Sequence, residues 1–179
     1  ADTENLEEAA KVSTMGIFRN SGEVCVAGSR LLVEKEIHNE FLGMVYKFTK
    51  NLKIGDPLDL NNDIGAINSL SQLKSDLDFV EKAKSEGGKI EIGGNRVLED
   101  SGGFYMEPTI ISSVKQDTTI FQNEVFGPVL TVTPFENEND AVELSNATAF
   151  GLASGLWTSN LSRAHRMIRK IKAGTVFVN

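Results

Sequence analysis

One cysteine stands in this chain, Cys25, within Asn20–Arg30 (NSGEVCVAGSR). It is the strongest nucleophile the sequence offers, since a thiolate attacks electrophilic carbon readily once its surroundings favour ionisation. Gly22 and Gly28 flank it, so a ligand or another backbone segment can approach closely. The competing reading is a small buried hydrophobe, the commoner fate of a lone cysteine. A second stretch, Asn123–Pro128 (NEVFGP), sets an acid, Glu124, two residues before an aromatic ring, Phe126. In an extended segment residues two apart face one side, so carboxylate and ring could converge on one ligand. The acid would accept hydrogen bonds from hydroxyls and the ring would pack on a flat group. Otherwise Phe126 is core and Glu124 a surface acid.

Other chemistries find little support. No GxGxxG or GxxxxGKS/T run occurs, so no phosphate-cradling loop is visible. His38 and His165 are the only histidines, both in helical patterns and both expected at the surface. A Cys/His metal site needs more ligands at closer spacing, so no metal is expected. The net charge of −7 disfavours nucleic acid and anionic membrane as partners. No apolar run is long enough for a bilayer span, and a single cysteine fits a reducing compartment, so a cytoplasmic protein is expected.

The elements that must hold these residues follow from periodicity. Asp2 or Thr3 is expected to cap a helix whose apolar face runs from Leu6 to Phe18, broken by Asn20-Ser21-Gly22. Leu31–Val33 reads as a strand and Ile37–Leu52 as a helix. Ser69 and Gln72 have capping-box spacing ahead of a stripe of Leu70, Leu73, Leu77 and Val80, and Gly87-Gly88 closes that helix. Lys89–Ile92 is a strand, 95–103 a polar loop, and 105–111 an extended stretch. Val129–Phe135, Leu152–Trp157 and Val176–Val178 are strands separated by helices capped at Asn137 and at Ser159 or Asn160. The basic cluster from Arg163 to Lys172 reads as a solvated helix end. Strands alternating with helices predict an α/β domain: one unit, 1–179, with a mostly parallel twisted sheet between helical layers.

The two stretches, about a hundred residues apart, resemble the paired motifs of the aldehyde dehydrogenase superfamily, N-x-G-Q-x-C and E-I/V-F-G-P. FYMEPTII, Phe150-Gly151-Leu152-Ala153 and the closing AGTVFVN also follow the family's order, so the likeness covers the whole chain. SNLSRAHRMIRKIKAGTVFVN resembles the subgroup acting on gamma-glutamyl-gamma-aminobutyraldehyde and related aminoaldehydes. The resemblance implies a three-layer αβα catalytic domain and oxidation of an aldehyde to a carboxylic acid with NAD or NADP. It makes Cys25 the nucleophile, forming a thiohemiacetal and then a thioester. It makes Glu124 a partner of the nicotinamide-side ribose and Phe126 a wall against the nicotinamide. It also implies a cofactor-binding domain and a C-terminal oligomerisation tail outside this chain, a parent that is a homodimer or homotetramer, and a piece inactive by itself. Glu23 departs from the family's Gln, and a carboxylate there could raise the thiol pKa. Capture of the acyl group by coenzyme A, or a non-catalytic binding or assembly module on the same fold, are the alternatives.

Overall fold

A computed structural model describes Asp2–Asn179. The chain runs α1 (Leu6–Phe18), β1 (Arg30–Glu34), α2 (His38–Lys50), α3 (Leu70–Ser85), β2 (Lys89–Ile92), β3 (Arg96–Val97), β4 (Tyr105–Met106), β5 (Thr109–Ser112), α4 (Thr119–Gln122), β6 (Val129–Phe135), α5 (Glu138–Ser145), β7 (Ala153–Leu156), α6 (Leu161–Lys170) and β8 (Thr175–Val178). Four strands form the central sheet in the order β1-β6-β5-β2. β6 pairs in parallel with β1 on one side and β5 on the other, while β2 joins β5 antiparallel with a register shift between Ile90 and Ile92.

Side-chain alternation splits the core across this sheet. Leu130, Val132 and Ile110 face α1 and α2, packing with Ala9, Ala10, Phe18, Phe41 and Val45. Val129 and Ile111 face the other way, against Leu73, Val80, Ile120 and Phe121 of α3 and α4. That is the expected α/β architecture, helices over both faces of a mostly parallel sheet. β6, buried from Val129 to Thr133, is its central strand.

Local sequence explains most element ends. Ser69 Oγ accepts from Gln72 N at 3.2 Å to start α3. At the other end Gly87 takes φ +94°, Gly88 N donates to Ala83 O and Gly87 N to Lys84 O, a Schellman exit that glycine makes without strain. Asn137 caps α5 and Asn160 caps α6.

Five expectations need correction. The cap of α1 is Asn5, whose Oδ1 accepts from Glu8 N at 2.9 Å. Asp2 is drawn elsewhere, to Thr158 Oγ1 at 2.7 Å and Arg163 at 2.8 Å. The loop expected at 95–103 contains β3, which pairs with β4 away from the main sheet. β7 and β8 do pair in parallel, yet among the described residues they form a separate two-stranded ribbon. The basic cluster is not simply solvated: Arg166 grips Glu138 through two bonds, at 2.9 and 2.7 Å, and fastens α6 to α5. His165 is exposed as expected, but His38 is half-buried at the start of α2 with its Nε2 enclosed.

Candidate active site

α1 stops at Phe18 and the backbone then turns left-handed at three consecutive residues: Asn20 (φ 53°), Ser21 (φ 57°) and Gly22 (φ +74°). Two of these carry side chains that disfavour this region, so other bonds must hold them. Asn20 Nδ2 donates to Glu23 O at 3.0 Å, and Ser21 Oγ donates to Gly65 O at 3.0 Å. Such a forced conformation marks a place where geometry is being set for a purpose. Just beyond it, Ala27 N donates to Val24 O at 2.9 Å, closing a turn with Cys25 and Val26 at its centre.

Cys25 is exposed on that turn. The sulfur is therefore open to an incoming reactant and not part of the packed core. Its backbone N–H donates to no group among the described residues. The thiol turn opens on a cleft of about 880 Å³ whose walls include Leu6 and Val12 of α1, Trp157, and Phe177 of β8. Glu124 lines the same cleft. It is exposed, and no described residue hydrogen-bonds to or pairs with its carboxylate.

Phe126 behaves differently from the sequence expectation. It is not in an extended segment but at φ 61°, and it lies outside the lining of the cleft with 36% of its surface exposed. A left-handed, half-exposed aromatic is costly on both counts. Glu23, the departure from the expected Gln, has its carboxylate turned to Asn68, whose backbone N–H donates to both its oxygens at 3.2 Å and whose amide also bonds to it. It thereby ties the thiol loop to the approach of α3.

The two motif stretches touch through glycine. Gly22 is packed so tightly on the Gly127 peptide that a Cβ there would lie 2.1 Å from Gly127 O. Gly127 in turn lies on Asp76 of α3: a Cβ on it would meet Asp76 Oδ2 at 2.3 Å. Asp76 is fully buried, and Gln72 Nε2 joins its Oδ1 at 2.7 Å to Val125 O at 2.9 Å. Burial first, and then the negative field of Glu23, push the Asp76 carboxyl up to about 7 against the opposing bond from Gln72. Sequence reasoning missed this pair. Gln72 looked like the reciprocal member of a capping box. Asp76 was legible as an acid on the inward stripe of α3, three residues after Leu73 and four before Val80.

Arg30 supports the site from below. Its guanidinium donates to Leu144 O at 3.0 Å and Ser145 O at 3.2 Å and stacks 5.0 Å from the centre of the Phe121 ring. Cations at a helix C-terminus are stabilising, so Arg30 binds the end of α5 to the start of β1. Among the described residues no three His, Cys, Asp or Glu side chains are arranged to hold a metal ion, and no helix is long and apolar enough to cross a membrane.

Comparison with known proteins places this arrangement. Residues 1–179 match the model of the aldehyde dehydrogenase family. The 4-trimethylaminobutyraldehyde dehydrogenase of Oryzias latipes is 40% identical over 98% of this chain and 35% of its own length. The crystal structure of an indole-3-acetaldehyde dehydrogenase complexed with NAD+ superposes with a TM-score of 0.98 at 41% identity, covering 99% of this chain and 36% of that one. The gamma-glutamyl-gamma-aminobutyraldehyde dehydrogenase of Burkholderia cenocepacia J2315 gives 0.95 at 42% identity, over 99% of this chain and 36% of its own. The chain thus spans about a third of the length of the proteins it matches. With a family model over all of its residues and the thiol turn folded against the Glu124–Pro128 segment, the chain belongs to the aldehyde dehydrogenase family.

Proposed function

We propose that this chain is the catalytic, thiol-bearing domain of an NAD(P)-dependent aldehyde dehydrogenase that converts an aldehyde to a carboxylic acid. The observation that carries the reading is the exposure of Cys25 on a cleft that also presents the unpaired carboxylate of Glu124. In its thiolate form Cys25 adds to the aldehyde carbon, forming a C–S bond and leaving the charge on oxygen. The uncommitted N–H of Cys25 is a donor for that oxyanion. The cofactor, when bound, supplies the oxidant that accepts the hydride and its two electrons. The acyl group then remains on Cys25 as a thioester, and water hydrolyses it to the acid and the free thiol.

The residues present fit a dinucleotide. Glu124 has both oxygens free to accept from a vicinal diol such as a ribose, and the family likeness assigns Phe126, outside the lining of that cleft, to the nicotinamide. The relatives named above are described as acting on chemically different aldehydes, so the family membership leaves the aldehyde open; the likeness to the gamma-glutamyl-gamma-aminobutyraldehyde enzyme supports an aminoaldehyde. The chain spans about a third of those proteins, which supports a parent with a separate cofactor domain. The decisive experiment compares three proteins: this chain, its parent, and the parent carrying Cys25→Ala. Aldehyde-dependent NADH formation by the parent alone, with NAD still bound by the Cys25→Ala variant, supports the reading. Turnover by Cys25→Ala overturns it.

A further inference from the structure

Asp76 is a buried acid that the chemistry above does not use. It is fully enclosed, yet one of its oxygens, Oδ2, has no hydrogen-bond partner. Natural cores rarely tolerate such an atom without a reason, since a buried polar group without a partner has lost its water and gained nothing in return. The oxygen is pressed on Gly127, and the other oxygen is joined through Gln72 to Val125 O. Both contacts fall inside the segment that carries Glu124 and Phe126. On its far side Gly127 receives Gly22 of the thiol loop. Asp76 is therefore the floor beneath the junction of the two motif stretches.

The groups around it are few. From its own helix it meets the neutral amide of Gln72, from the Glu124–Pro128 segment it meets backbone, and from the thiol loop the carboxylate of Glu23 acts on it at a distance. No cation contributes. Ionisation would put a negative charge within the field of a second carboxylate and against a backbone segment that cannot neutralise it.

We propose that Asp76 is a positioning residue: with Gln72 it sets the turn from Glu124 to Pro128 that holds Phe126 left-handed, and its ionisation releases that setting. The neutral carboxyl packs under Gly127 and keeps Glu124 turned to the cleft. The charged form destabilises the same packing, so the turn loosens near neutral pH. The raised acidity constant, about 7, places the change between pH 6 and 8. Its consequence for cofactor affinity rests on the function proposed above. The loosening of the turn does not.

Hydrogen exchange read by mass spectrometry tests the turn directly, without cofactor, on the wild type and on Asp76→Asn, an isostere that keeps the acceptor for Gln72. After correction for intrinsic base catalysis, the wild-type peptide spanning 123–129 should exchange about threefold or more faster at pH 8 than at pH 6. Asp76→Asn should stay at the slow rate throughout, and Gln72→Leu should be fast at both. A wild-type peptide with no pH dependence overturns the proposal, and so does an Asp76→Asn peptide with the wild-type dependence. In the parent enzyme, the Kd for NAD should weaken severalfold from pH 6 to 8 in the wild type and remain flat in Asp76→Asn. A parent that binds no NAD while the exchange behaves as described removes the functional reading and leaves this one standing. NAD binding with the same pH dependence in both proteins removes this one alone.

Discussion

Gly22 and Gly127, more than a hundred positions apart, are in backbone contact, and neither has room for a side chain: a Cβ on Gly22 would lie 2.1 Å from Gly127 O. This contact puts the thiol turn and the Glu124–Pro128 turn in one junction. Gly22 also has φ +74°, where an L side chain is strained before any clash is counted. Gly22→Ala should lower stability by about 2–4 kcal/mol, from strain plus displacement of the partner peptide. Urea unfolding followed by circular dichroism measures it. A loss within ~0.5 kcal/mol, the range of ordinary surface substitutions, would show that the junction opens freely.

Cys25 should alkylate fast in the folded chain, because its turn faces the cleft and not the core. Iodoacetamide at neutral pH, followed by intact mass, should give one adduct without denaturant and none in Cys25→Ser. Labelling that waits for urea would mean the sulfur is closed off in solution.

Stability should depend on Asp76. Its carboxyl rises from 3.8 to about 7 on folding, so the native state holds the proton more tightly than the unfolded chain. The stabilisation is complete below pH ~4, the unfolded value, and declines as pH rises to about 7, beyond which the loss is complete. The three-unit rise, at about 1.4 kcal/mol per unit, sets the span near 4 kcal/mol. Asp76→Asn should therefore be more stable than wild type at pH 8 and lose that advantage toward pH 4, as read by chemical denaturation across pH. Parallel pH curves for the two proteins would contradict this.

Arg30→Met should cost about 1–3 kcal/mol, by freeing two carbonyls at the end of α5 and the face of Phe121. Arg30→Lys should recover little of it. An ammonium cannot reach both carbonyls and stack on the ring as the planar guanidinium does. Thermal melts of the three proteins decide the order.

Much of the scaffold was legible because its signals are local. The span of β6 follows from an apolar run, the end of α3 from Gly87-Gly88, and the caps at Ser69, Asn137 and Asn160 from single side chains beside their own helices. The sequence also picked out Cys25 and Glu124, and the fold brings them to one cleft. What stayed hidden depends on distant partners. Asp2 looks like a cap until Thr158 and Arg163 are brought to it from the other end of the chain. Gln72 fits a capping box until Val125 offers a carbonyl from 53 positions away. Phe126 reads as extended because alternation cannot anticipate a left-handed aromatic imposed by the glycine junction beside it. The single-turn α4 and the two-residue β3 are too short for periodicity to register.

Thr158 takes Asp2 on its hydroxyl, while its amide donates to the carbonyl of Asn179 at 3.2 Å. Load drawn between Asp2 and Asn179 therefore falls first on the bonds around Thr158 and on the β7–β8 ribbon beside them. The four-stranded sheet lies outside that path. Under tension the ribbon should peel before the middle of the sheet yields, and on the Asp2 side the pull then passes along α1 to the thiol turn.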